Sequence, residues 1–289
     1  MKFTTLLSAA LALCPLATAQ NKTEEQRFNA RRTMNLGIVA FPGFEPLDIF
    51  GPLEIFYQLS QHYKIALSII APESGLVGAG IPPHSMSPGG AKMDSSFIIN
   101  PKIEATHTFD NAPALDVLLV PGGFGNIMLD MENNTVIEDF VASRFEGLDY
   151  LLSVCTGALS LAKAGVLEGR RATTSKAAWA DPTKFGENIN WVPNARWVED
   201  GKIWSSSGVS ADSQRDDGAS LIYSQGIDMT YAFLKHFYGE KDESLSYTMN
   251  LIEYAPHSDP HWDPFAIVHE VPGADMDGEL ESCVKPVGY

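Results

Sequence analysis

The sequence predicts an α/β protein built on an open, mostly parallel sheet with helices on both faces, and three observations predict it. Residues 34–41, 116–120 and 150–154 are continuous apolar runs rather than alternating ones, as in strands buried on both faces. Each run ends in a turn of small residues or proline: Pro42-Gly43, Pro121-Gly122-Gly123 and Cys155-Thr156-Gly157. Helical patterns fall between the runs, and this β/α alternation produces parallel neighbours joined by crossover helices. Ligands of such sheets gather beyond the carboxyl ends of the strands.

The first element is not part of that core. Met1-Lys2-Phe3, an apolar stretch over 4–16 and Ala17-Thr18-Ala19 follow the charge, apolar and small-residue order of a secretory signal cleaved after Ala19. The run is shorter than the roughly 20 apolar residues of a membrane span, so the expectation is a secreted, extracellular protein starting at Gln20, with no membrane partner. A polar lead-in over 20–33 precedes the first strand, 34–41. Pro52 is placed to open a helix over 52–61, with Leu53, Phe56 and Tyr57 on one face. A second strand is expected over 63–71 and a short strand or hairpin around 97–99, followed by the strand 116–120.

A helix over 136–144, the strand 150–154 and a helix over 158–164 continue the alternation. Residues 197–204 read as two short strands around a turn containing Asp200-Gly201. A polar insertion over 212–225 precedes closing helices over 227–237 and 244–254. One α/β domain therefore spans 34–255, and 256–289 is expected to be an irregular, surface-packed tail.

The chain has 289 residues and a formal net charge of −16. Loss of 1–19 removes Lys2 and no acid, which makes the charge −17. Such a surface disfavours nucleic acid and anionic membranes as partners. Cys14 leaves with the signal, and Cys155 and Cys283 alone do not make a disulfide framework. Asn21 and Asn133 stand in Asn-X-Thr sequons and are candidate glycosylation sites.

Three segments could carry chemistry. Cys155 lies where an apolar strand gives way to a small-residue helix start, so the turn can present sulfur above the sheet edge, and a helix N-terminus beneath it favours the thiolate. A buried structural cysteine fits the same local pattern. In Pro121-Gly122-Gly123-Phe124-Gly125, glycines let backbone N–H groups approach a ligand, and the N–H groups of Gly123 and Thr156 could together stabilise a developing negative charge. Such a turn can equally serve only to reverse the chain. Asp48, flanked by large apolar residues in the loop after the first strand, could exchange a proton with sulfur or substrate if burial raises its pKa, or it could cap a helix. His257, Asp259, His261 and Asp263 alternate along the tail, but prolines at 256, 260 and 264 point to rigid packing. No metal and no cofactor is expected.

Together, Phe41-Pro42-Gly43, Leu47-Asp48-Ile49-Phe50-Gly51-Pro52, Val154-Cys155-Thr156-Gly157-Ala158 and Gly169-Arg170-Arg171-Ala172-Thr173-Thr174 resemble the DJ-1/PfpI superfamily, and most of all its isonitrile hydratase-like branch. The resemblance spans about 34–239 and implies a flavodoxin-like sandwich, a homodimer and a small-molecule substrate. It also implies a lyase in which Cys155 attacks the terminal carbon of an isocyanide and Asp48 relays protons. Thr156 would contribute its N–H and hydroxyl, and water would complete hydration to an N-substituted formamide. A thiol-dependent hydrolase, an oxoaldehyde hydratase, or a secreted binding or redox-responsive protein without enzymatic activity are the alternatives. Two departures stand out. After Thr174, where many relatives place a histidine, this chain has Ser175, and 212–225 interrupts a join that relatives usually make directly.

Overall fold

The computed structural model describes residues 22–80, 97–208, 213–214, 220–221, 225–261 and 263–277. The signal segment, Asn21, most of the insertion 212–225 and Cys283 lie outside the described residues.

The expected polar lead-in contains a helix, α1 (Glu24–Asn29), started by a capping box between Thr23 and Gln26. Strand β1 (Met34–Val39) then leads into α2 (Pro46–Leu59) and β2 (Ile65–Ala71). An antiparallel pair, β3 (Gly75–Gly78) with β4 (Lys102–Ala105), is followed by β5 (His107–Thr108) and β6 (Val117–Val120). Helices α3 (Phe124–Met131) and α4 (Val136–Phe145) precede β7 (Tyr150–Val154) and α5 (Gly157–Lys163). Beyond these come β8 (Arg171–Ala172), α6 (Ala180–Thr183), β9 (Asn190–Trp191), and the hairpin of β10 (Trp197–Asp200) and β11 (Ile203–Ser206). Within the insertion, β12 (Ser213–Gln214) pairs antiparallel with β13 (Ser220–Leu221). Helices α7 (Gln225–Tyr238), α8 (Glu243–Leu251) and α9 (Phe265–Val268) close the described chain.

The main sheet runs β10-β11-β7-β6-β1-β2-β5. Its pairings are parallel except for the β10–β11 hairpin, whose ends meet in a turn short enough for antiparallel neighbours. Leu36 and Ile38 of β1, Leu118 and Leu119 of β6, and Leu151 and Leu152 of β7 are fully buried, which explains why these strands read as unbroken apolar runs. The helices flanking the sheet fall into two packed groups, α1, α2, α7 and α8 in one and α3, α4, α5 and α6 in the other.

Three expectations are corrected. Pro46, not Pro52, sits at the start of α2, where a missing N–H costs nothing, and Pro52 lies inside the helix. Asp48 is therefore in the first turn of α2 rather than in a loop. Residues 97–99 form no strand, and Phe97 and Ile99 project into solvent, 89% and 84% exposed; the pairing falls instead at β4, opposite Val77. The tail holds α9 and a fully buried Asp263, so it packs into the protein rather than only on its surface.

Candidate functional site

Only Cys155 and Thr156 separate the end of β7 from the start of α5. Cys155 has φ 59°, a left-handed conformation that costs a side-chain-bearing residue roughly 1–2 kcal/mol. Neighbouring glycines make so tight a turn possible. A Cβ on Gly157 would lie 2.3 Å from the Val120 carbonyl oxygen, and one on Gly122 would lie 2.5 Å from the Thr156 nitrogen. The turn after β6 and the elbow after β7 therefore pack backbone against backbone.

Polar contacts hold the elbow from several sides. The Cys155 N–H donates to the Ser206 carbonyl at 3.2 Å, and the Thr174 hydroxyl donates to the Cys155 carbonyl at 3.0 Å. Buried Asn126, on α3, donates through Nδ2 to the Thr156 carbonyl at 2.6 Å, and its Oδ1 accepts from the Thr156 hydroxyl at 3.1 Å. The Gly123 N–H donates to Thr156 Oγ1 at 2.9 Å. Gly123 and Thr156 are thus brought together as the sequence suggests, but the Gly123 N–H is spent on fixing the threonine rather than left facing the thiol.

Around the sulfur stand the Thr156 N–H, the Ser175 hydroxyl and the Asp48 carboxyl. Ser175, 7% exposed, occupies the place where the resemblance puts a histidine. Gly208 closes another side, since a Cβ there would come within 3.2 Å of Cys155 Sγ and 3.5 Å of Ser175 Oγ. Cys155 itself is half-buried. Part of the residue is exposed, while its thiol is poorly solvated.

Asp48 is fully buried, and its Oδ2 accepts the Gly122 N–H at 2.8 Å. Burial lifts its pKa well above the usual carboxylate range. The Gly122 bond opposes that shift, the Glu45 charge adds to it, and the nearby Cys155 thiol opposes it, while Oδ1 has no hydrogen-bond partner among the described residues. The Cys155 thiol is likewise pushed up, first by burial and next by the charge of Asp48, while Thr156 N–H and Ser175 pull the other way. This reverses the direction expected from a helix N-terminus alone, because burial of the thiol and, next, the Asp48 charge beside it outweigh a dipole that acts across one turn. Both groups hold their protons tightly and titrate as a coupled pair.

Sequence reasoning missed Asn126, Gly208 and Glu45. Asn126 follows the glycine turn by three residues and carries no local signature, and Gly208 becomes meaningful only when β11 delivers it over Cys155. Asn133 lies in the exposed turn after α3, with φ 53°. The alternating His/Asp set of the tail is split: Asp263 faces inward to Ser207 at 2.6 Å, whereas His261 is exposed.

The sequence pattern of the DJ-1/PfpI family matches residues 36–214. An isonitrile hydratase from Pseudomonas putida is 29% identical over 243 residues, covering 82% of this chain and 88% of that protein. Among solved structures, a ThiJ/PfpI family protein from Pseudomonas syringae superposes with a TM-score of 0.59 at 22% identity, covering 89% of each chain. DJ-1beta of Drosophila melanogaster does so with a TM-score of 0.54 at 16% identity, covering 78% of this chain and 100% of that one. The structural likeness establishes a common fold.

Proposed function

Because this chain belongs to the DJ-1/PfpI family, we propose that it is a thiol-dependent lyase that hydrates a small isocyanide to an N-substituted formamide. The observation that carries the reading is the left-handed Cys155, whose sulfur is flanked by a buried carboxyl at Asp48 and a hydroxyl at Ser175. The 29% identity to an isonitrile hydratase supports the substrate class. Serine in place of a histidine favours a cysteine–aspartate pair over a cysteine–histidine hydrolase.

In this mechanism the Asp48 carboxylate takes the thiol proton as sulfur bonds to the terminal isocyanide carbon. Asp48 then returns that proton to the same carbon, leaving a thioimidate, R–N=CH–S, on Cys155. Water adds to the carbon and the C–S bond breaks. One proton of the water goes to nitrogen and the other returns to the thiol, releasing R–NH–CHO. The Thr156 N–H and the Ser175 hydroxyl steady the charge on sulfur at both ends of the cycle.

The protein acts as a secreted homodimer in this reading, cleaved after Ala19 and glycosylated at Asn133 and Asn21. The order of residues 1–19 and the exposed turn at Asn133 support export. An exposed apolar face formed by Phe50, Tyr57 and Leu67, 38%, 63% and 42% exposed, supports self-association. Purified protein incubated with a panel of alkyl and aryl isocyanides should yield formamides detectable by mass spectrometry. Absence of product across the panel, from protein with a free Cys155 thiol, overturns the reading. Amino-terminal sequencing of protein recovered from the culture medium should begin at Gln20; a start at Met1 would overturn cleavage after Ala19, and absence of the protein from the medium would overturn secretion.

A further inference from the structure

A small pocket lies against the Ser175 and Gly208 side of the thiol. Its volume is about 60 Å³, and Ser175, Lys176, Ser207, Gly208, Gln225 and Phe265 contribute to its lining. That is far below the roughly 300 Å³ of a pocket for an organic substrate, yet above the 10–15 Å³ that a single water requires. Its wall is firmly built. Asp263 accepts from Ser207 Oγ at 2.6 Å and from the Phe265 N–H at 3.0 Å, and lies 3.8 Å from Lys176 Nζ. Lys176 in turn donates to Thr173 Oγ1 at 2.7 Å and to the Ala195 carbonyl at 2.9 Å.

One polar atom is left over. Gln225, the first residue of α7, is 2% exposed, and its Oε1 accepts no hydrogen bond among the described residues. A buried amide oxygen without a donor costs free energy, so its position calls for one. Lys176, which donates to Thr173 and Ala195 and faces Asp263, makes no hydrogen bond to that oxygen. Among the described residues none donates to it, and a donor that enters this pocket has to be small.

We propose that this pocket holds the water that attacks the Cys155 adduct, with Gln225 Oε1 accepting a hydrogen bond from it and Ser175 and Gly208 bordering its path to the carbon bound to sulfur. The inference rests on the thioimidate mechanism above and adds the group that serves its second half. A water fixed by an acceptor points its lone pair at the electrophile, whereas a misplacement of about 1 Å can cost on the order of 100-fold in rate. Gln225 then acts after sulfur has bonded to carbon and not before.

Gln225→Leu keeps the volume and removes the acceptor, while Gln225→Glu keeps an acceptor in place. Turnover of an isocyanide by the leucine variant should fall about 100-fold, with intact-mass spectrometry showing Cys155 carrying the added mass of one substrate, and the glutamate variant should retain more activity. Turnover equal to wild type, or slow turnover with an unmodified Cys155, overturns the proposal. A high-resolution crystal structure of the wild-type protein tests the water independently of any substrate. An ordered water within hydrogen-bonding distance of Gln225 Oε1 supports the proposal, and a dry pocket overturns it. Failure of the wild type to hydrate any isocyanide, with that water present, would instead fault the substrate assignment and leave the water site standing.

Discussion

Asp48 Oδ2 accepts the backbone N–H of Gly122 at 2.8 Å, so the carboxyl beside Cys155 is held by the same glycine turn that packs against the elbow. The bond fixes one oxygen and leaves the carboxyl free to trade a proton with sulfur through the other. Asn in place of Asp can still accept from Gly122 but cannot take the proton. Asp48→Asn should therefore lower turnover at least 100-fold. Loss of the neighbouring negative charge should at the same time ease thiol ionisation and speed alkylation of Cys155 by iodoacetamide at pH 8 about tenfold, one unit of thiol pKa being a tenfold change in thiolate. A slower alkylation in the variant would show that Asp48 does not raise the thiol.

The same burial sets a pH dependence of stability. The folded-state pKa of Asp48 is raised, so between the ordinary carboxylate pKa and the folded one the native state holds more protons than the unfolded state. Its contribution is fully present below the unfolded value and is lost as pH rises through the folded one. Asp48→Asn has no such proton to lose. Its melting temperature relative to wild type should increase on going from pH 5 to pH 9, which differential scanning fluorimetry can follow. A constant difference would mean that the carboxyl is solvated in the native state.

Gly208→Ala should separate access from stability. The new Cβ would meet Cys155 Sγ at 3.2 Å and Ser175 Oγ at 3.5 Å, both side-chain atoms that can yield slightly, and no backbone clash is in reach. The melting temperature should move little while alkylation of Cys155 slows about tenfold. Gly122→Ala behaves differently, because its Cβ would press on the Thr156 nitrogen at 2.5 Å, and the expected outcome is poor folding.

How much of this could be read in the sequence depended on how local each signal was. β1, β6 and β7 were legible because burial on both faces leaves an unbroken apolar run, and Cys155 was legible because a small-residue turn follows one of them. Asp48 is legible as a candidate but its place in a helix is not, since Pro52 draws the expected helix start away from Pro46. Phe97-Ile98-Ile99 misled because apolar composition alone does not say whether a sheet is there to receive it. α3 was hidden by its glycine-rich entry at Gly123 and Gly125. Ser175 was visible only as a departure, and Gln225 not at all, because β11, α7 and the tail reach the pocket beside Ser175 and Gly208 from distant parts of the chain.

Asn126→Ala tests the clamp on Thr156. It removes the donor to the Thr156 carbonyl and the acceptor of the Thr156 hydroxyl, both in a buried setting. Leaving those groups unsatisfied costs about 1–3 kcal/mol, a fall in melting temperature of a few degrees for a domain this size. Turnover should fall further than stability explains, measured on protein still folded at the assay temperature, because the Thr156 N–H beside sulfur loses its support.

The apolar face of Phe50, Tyr57 and Leu67 makes the oligomeric state testable. Analytical ultracentrifugation should find a dimer, and Leu67→Glu should shift it toward monomer by burying a charge at the contact. A monomeric wild type at micromolar concentration would exclude this face as a stable self-association surface.

The wall formed by Asp263 and Phe265 has a consequence during synthesis. Cys155 and Asp48 are made well before residues 225–265, so in a growing chain the Ser175 and Gly208 side of the elbow stands without its wall. That wall is complete only when Asp263, the last buried carboxylate among the described residues, reaches Ser207 and Lys176, so docking of the tail is the step that finishes this side of the site.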